Sequence, residues 1–122
     1  MTQHIITTAA TFGMLAVIFG AFGAHALKKI LTVEQLNSFE VGVKYQMYHA
    51  IVLLILGFNQ DYVTTPIYGC FTIGIILFSF SIYGLVISAA KGKKMRFLGP
   101  ITPLGGLFLV TGWTLLIINS VF

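Results

Sequence analysis

Phe39-Glu-Val-Gly-Val-Lys-Tyr-Gln-Met-Tyr-His-Ala50 runs without a break into Ile51-Val-Leu-Leu-Ile-Leu-Gly-Phe58. The first part carries Glu40 and Lys44 together with Gln46, His49 and two tyrosines; the second is oily enough to sit in lipid. A polar cluster is therefore carried to, or into, a membrane surface. At about 1.5 Å per residue, Met47 to Phe58 falls well short of a bilayer core of roughly 30 Å. A full crossing has to include Val41 to Gln46, and Lys44 with it, the ammonium snorkelling back to the headgroups.

The composition agrees with this reading. The 122 residues are 57% hydrophobic and 8% charged, where a soluble domain has about 25% charged residues. We read an all-α integral membrane protein, a bundle of four transmembrane helices forming one domain, with spans near residues 5–27, 41–58, 66–90 and 101–120. The formal net charge of +4 reads as an orientation signal rather than as a nucleic-acid footprint, so the expected partner is the bilayer and not a nucleic acid. Cys70 is the single cysteine, which excludes an internal disulfide.

In the first span, Ala9, Gly13, Ala16, Gly20 and Ala24 fall on one narrow stripe at about 100° per residue. In lipid, close backbone approach along such a stripe is a main source of helix association, so it reads as a packing seam. Ala24-His-Ala26 has the small-x-small look of a signal-peptide cleavage site. However, Met1 to His4 carries no Lys or Arg, and Lys28 and Lys29 follow the apolar run. That order fits a retained span.

Thr32-Val-Glu-Gln35 has the pattern of a capping box and predicts a helix start. The sequence leaves open whether residues 32–45 form an interfacial segment or continue straight into the second span. Pro66 suits the first turn of the third span, where its missing N–H costs nothing. Lys91-Gly-Lys-Lys-Met-Arg96 is a basic connection. Leu98-Gly-Pro-Ile-Thr-Pro-Leu-Gly-Gly106 predicts a broken or re-entrant start to the fourth span, packed against other helices.

With four spans, Lys28, Lys29, Lys44, Lys91, Lys93, Lys94 and Arg96 all fall on one side and the termini on the other. The positive-inside rule then places both termini outside and the connections at 28–40 and 91–97 in the cytoplasm. Anionic lipid headgroups would be drawn to Lys28, Lys29, Lys91, Lys93, Lys94 and Arg96.

On a helical wheel Glu40, Lys44 and Tyr48 form one stripe, with Glu before Lys in the favourable order, while Gly42, Tyr45, Gln46 and His49 gather on another side. The Gly42/Gln46/His49 face is expected to turn inward, toward protein. In one reading Glu40 and Lys44 neutralise each other at the interface and His49 hydrogen-bonds a neighbouring helix. In the other, a small-ligand, proton or headgroup site lies near the cytoplasmic surface. His25 is placed at the same end. A His25–His49 pair lacks further ligands, so no metal and no cofactor is expected. Asp61 is placed on the opposite side from both histidines, which argues against a hydrolytic triad. Gly20-Ala-Phe-Gly23 lies inside an apolar span and reads as packing rather than a nucleotide loop.

Three segments together, Gly20-Ala-Phe-Gly-Ala-His-Ala-Leu27, Phe39 to Ala50 and Leu98 to Gly106, resemble the domain-of-unknown-function 423 family of small four-span membrane proteins, related to the animal transmembrane protein 256. The resemblance covers essentially the whole chain. It implies a bacterial inner or plasma membrane protein and no assigned activity. The motif residues it carries onto this chain are His25, Glu40, Lys44, Tyr45, Gln46, His49, Thr102, Pro103, Gly105 and Gly106. Their gathering into one cluster at the cytoplasmic end is an expectation drawn from the orientation.

Three functions follow as expectations. The first is a non-enzymatic structural or accessory component of the envelope, self-associating through its small-residue seams, to which Gly105 and Gly106 also contribute. The second is an oligomeric transporter or channel for a small solute or protons. The third is a headgroup-binding protein or membrane enzyme.

Overall fold

The computed structural model describes residues 2–122; Met1 lies outside them. Four helices are long and apolar enough to cross a membrane. We label them α1 (Thr2–Leu27), α2 (Val33–Phe58), α3 (Thr65–Ala90) and α4 (Ile101–Val121). Each of the first three has 26 residues, which at about 1.5 Å per residue exceeds a ~30 Å hydrocarbon core.

The helix ends follow local chemistry. Thr32 Oγ1 accepts from Gln35 N at 3.1 Å and Gln35 Oε1 accepts from Thr32 N at 3.0 Å, so the capping box is complete. It opens α2 itself. No separate interfacial helix precedes the second span, because nothing between Val33 and Phe58 interrupts the hydrogen-bond ladder. Thr64 caps α3 through Ile67 N, with Pro66 in the first turn. The start of the fourth span is irregular but not re-entrant: a 3₁₀ turn at Arg96–Leu98 leads to Pro100, and α4 then runs unbroken from Ile101. Pro103 does not break it, since a first-turn residue has no intrahelical N–H bond to lose.

Side-chain contacts fix an up-down-up-down topology. Ile5 and Ile6 meet Gly57, Phe12 meets Gln46, and Phe39 meets Gly23, so α1 and α2 are antiparallel. Phe71 meets Gly112, Leu109 meets Gly74, and Ser81 meets Thr102, so α3 and α4 are too. Thr8 on α1 reaches Tyr68 on α3, and His49 on α2 reaches Trp113 on α4. The bundle is thus a rhombus with α2 and α3 across its short diagonal. Accordingly 39% and 44% of the most apolar stretches of α2 and α3 are buried, against 22% and 17% for α1 and α4, which leaves the two outer helices facing lipid.

The core joins Ile5, Ala9 and Phe12 of α1 to Leu53 and Leu56 of α2 and to Ile67, Phe71 and Ile75 of α3. A second cluster, Leu31, Phe39, Tyr83 and Val86, closes the end that carries the basic connections. The small-residue stripe of α1 is used unevenly within the chain. Ala9 and Ala16 are buried, Ala24 is half-buried, and Gly20, though exposed, would place a Cβ 3.2 Å from Val43 Cγ1 of α2, whereas a Cβ on Gly13 would have nothing within 4 Å. The reason is rotation: the face turned to α2 is led by Ile5, Ala9, Phe12 and Ala16, which puts Gly13 on its flank.

Candidate functional site

Gly42, Gln46 and His49 are four and then three residues apart on α2, which stacks them on one helix face. That face is turned into the bundle, and all three are buried. The Gln46 side chain is fully enclosed. Its Nε2 donates to the Phe12 carbonyl of α1 at 2.8 Å, and its Oε1 accepts from Tyr83 Oη of α3 at 2.7 Å. One side chain therefore ties three helices together. One turn earlier, Ser79 Oγ donates to the Gly42 carbonyl at 2.7 Å. Gly42 has no room for a Cβ, which would lie 2.8 Å from Tyr83 Cε1. The Tyr83 ring packs against Phe19, Phe39 and Phe80 with centroids 5.0–5.7 Å away.

His49 is bonded at both ring nitrogens. Trp113 Nε1 donates to its Nε2 at 3.1 Å, and Nδ1 lies 2.8 Å from the Tyr45 carbonyl. Indole N–H only donates and a carbonyl only accepts, so the proton sits on Nδ1 and Nε2 is the acceptor of a neutral ring. Each polar group of this network satisfies another, as burial in a low-dielectric interior demands. Among the described residues, Thr72 Oγ1 is the one buried side-chain polar atom without a partner.

The network is not at one end of the bundle. His49 lies about 24 Å along α2 from Val33 and Gln46 about 20 Å, near the middle of the helix. The expected cluster of motif residues divides accordingly. Gln46 and His49 come together, with Tyr45 stacked on His49 although 42% exposed. Glu40 and Lys44 stay exposed on α2, because their stripe faces away from α3, and His25 is exposed at the end of α1. Thr102 bonds to Ser81 at 2.6 Å on the α3–α4 contact instead. Lys28, Lys29, Lys91, Lys93, Lys94 and Arg96 are exposed in the two basic connections. No group of three or more His, Cys, Asp or Glu able to hold a metal occurs among the described residues. Sequence reasoning does not single out Phe12, which contributes only a carbonyl, or Trp113; the N–H of a tryptophan inside a span was the available signal.

A family model described as "Protein of unknown function (DUF423)" matches residues 19–106, from the second half of α1 to the first turns of α4. The chain belongs to the DUF423 family. A UPF0382 membrane protein of Staphylococcus haemolyticus is 38% identical over 112 residues, covering 88% of this chain and 86% of that protein. One from Bacillus subtilis is 37% identical over 122 residues, covering 95% and 94%. One from Schizosaccharomyces pombe is 34% identical over 116 residues, covering 93% and 98%. No solved structure matches the chain. Like these family relatives, and with four apolar helices of its own, the chain is a multi-pass membrane protein.

Trp113 is the one tryptophan of the chain, so its emission reports directly on the His49 bond. His49→Phe should shift the emission maximum to the blue by removing the acceptor from the indole N–H. His25→Asn and Glu40→Gln should leave it in place. Coincident spectra for wild type and His49→Phe would mean that the bond is not made.

Proposed function

We propose that this family member is a non-enzymatic structural or accessory component of the bacterial plasma membrane. The observation that carries the reading is the closed network at mid-bundle: Gln46 with Tyr83, His49 with Trp113, and Ser79 are spent on one another and on backbone carbonyls. Side chains committed in this way fix helix register and contacts, and chemistry would have to break those bonds first. Both termini face outside and both basic connections face the cytoplasm, following the positive-inside rule. A second copy is the proposed partner. Gly13 on the flank of α1 offers close backbone approach that the chain itself does not use, the kind of surface on which helices associate in lipid.

Deletion in a bacterium carrying this gene should change the permeability of its membrane to a fluorescent dye. A structural role then tolerates loss of the reactive groups outside that network. A variant combining His25→Asn, Glu40→Gln, Lys44→Gln and Cys70→Ser should restore wild-type permeability. Failure of that variant, expressed at wild-type level, would move the role to chemistry at one of those side chains. An unchanged deletion strain, with purified protein strictly monomeric, would remove the proposal altogether.

A further inference from the structure

Because α2 and α4 both pack on α3 and meet each other at His49 and Trp113, with little further contact, a furrow is left between them. It has two parts. At the basic end is a cleft of about 910 Å³, with apolar walls from α3 and a polar rim from the start of α2 and from the last connection. Deeper in the bundle is a groove of about 430 Å³ lined by Tyr45, His49, Phe78, Gly106 and Trp113. Val41 lines both, so the groove continues the cleft.

The rim is chemically divided. Lys94 and Arg96 stand on one side, Glu34, Gln35 and Ser38 on the other. The backbone that carries the cations is held by the connection: Gly92 turns the chain at φ +80°, Lys93 N donates to Ser88 O, and Met95 N donates to Ser88 Oγ, both at 3.0 Å. Two cations on one ordered turn can pair with the oxygens of a phosphodiester. Across from them, Glu34 offers acceptors only, as a carboxylate. The apolar floor is supplied by Ile82, Leu85, Val86 and Phe78 of α3, and the furrow extends along α2 from Gln35 to His49, about 21 Å, which matches the reach of an acyl chain into the bilayer.

We propose that the α2–α4 furrow binds one membrane phospholipid. Its phosphodiester sits between Lys94 and Arg96, its headgroup donors reach Glu34, and one acyl chain lies over Val41 against Tyr45 and Trp113. This goes beyond the structural role proposed above and does not depend on it. It also differs from general attraction of anionic lipid to a basic face, because Lys28, Lys29, Lys91 and Lys93 do not line the cleft. Headgroups ending in an ammonium or hydroxyls can donate to Glu34, whereas choline, with no N–H or O–H, cannot.

The test is native mass spectrometry of the full chain released from nanodiscs containing equal parts phosphatidylglycerol, phosphatidylethanolamine and phosphatidylcholine with identical acyl chains. A one-to-one adduct enriched in the first two lipids is expected. Lys94→Gln with Arg96→Gln should reduce it about tenfold or more, the worth of one charged hydrogen bond. Lys28→Gln with Lys29→Gln should leave it unchanged. Gly106→Leu, which fills the groove, should weaken binding while sparing the cations. Equal adducts of all three lipids would overturn the proposal, as would equal loss in the two double variants. So would dimers that carry no lipid, or displacement of the adduct by millimolar glycerol phosphate, which would assign the cations to a free phosphate.

Discussion

Gly105→Ala is expected to destabilise the bundle by about 3 kcal/mol, the upper end of the usual overpacking range. At Gly105, α4 rests directly on the backbone of α3. An added Cβ would lie 2.6 Å from the Leu77 carbonyl carbon and 2.7 Å from Phe78 Cα, and would strike Phe78 N. These are main-chain atoms inside the π-helical turn Ile76–Phe80 and cannot rotate away as a side-chain tip can. The helices would have to separate, taking with them the contact of Gly74 with Leu109 and that of Gly112 with the Phe71 ring. Two neighbours in sequence or chemistry supply the controls. A Cβ on Gly106 meets Phe78 Cδ1 at 3.6 Å, an ordinary contact, and one on Gly13 meets nothing within 4 Å. Gly106→Ala and Gly13→Ala should therefore change stability by no more than about 0.5 kcal/mol to the unfavourable side. Unfolding in mixed micelles, followed by Trp113 emission and circular dichroism, gives all three values. Equal stability of the Gly105 and Gly106 variants would contradict the crossing described above.

The contrast between Gly105 and Gly13 also marks how far the sequence can be read. Both lie in apolar spans, Gly13 on a regular small-residue stripe and Gly105 in an irregular Pro-Gly segment. The more regular signal belongs to the residue whose added Cβ would meet nothing, because a stripe gives a face but not its rotation about the helix axis. The number of spans was legible, since hydropathy and length alone decide it. So were the helix starts at Thr32 and Pro66, which depend on bonds within a few residues. The wheel separates Gly42, Gln46 and His49 from Glu40, Lys44 and Tyr48, and burial follows the same division. Depth was harder. The motif residues were expected at one end because charges near them mark that end. Yet α2 starts already at Val33 and carries Gln46 to mid-bundle. The partners of the network lie 34, 37 and 64 residues away in sequence, and one of them is a backbone carbonyl, so no local pattern announces them. The π-helical turns Ile18–Gly23 in α1 and Ile76–Phe80 in α3 were not legible either.

Gln46→Ala is expected to cost about 2–4 kcal/mol, the sum of a large-to-small cavity and an unpartnered hydroxyl. The size of the polar part can be separated from the packing part. Gln46→Met keeps most of the volume, so its cost isolates the two hydrogen bonds. Interhelical hydrogen bonds in membrane proteins average about 0.6 kcal/mol and reach about 1.7. The bond to Phe12 O belongs near the lower figure, because that carbonyl can keep its helical partner. The bond from Tyr83 belongs near the upper one, because its ring is packed among Phe19, Phe39 and Phe80 and Ser79, already donating to the Gly42 carbonyl, is the other side chain near its hydroxyl. Tyr83→Phe alone leaves Gln46 Oε1 enclosed without its donor, and Gln46→Met alone leaves the Tyr83 hydroxyl enclosed without its acceptor. The double variant leaves neither. It should accordingly cost about 1 kcal/mol less than the sum of the two single variants. Strict additivity would show that the two side chains do not share a bond. It would also leave α2 held to α3 by packing and the Ser79–Gly42 contact alone, and would take from the proposed structural role the observation on which it rests.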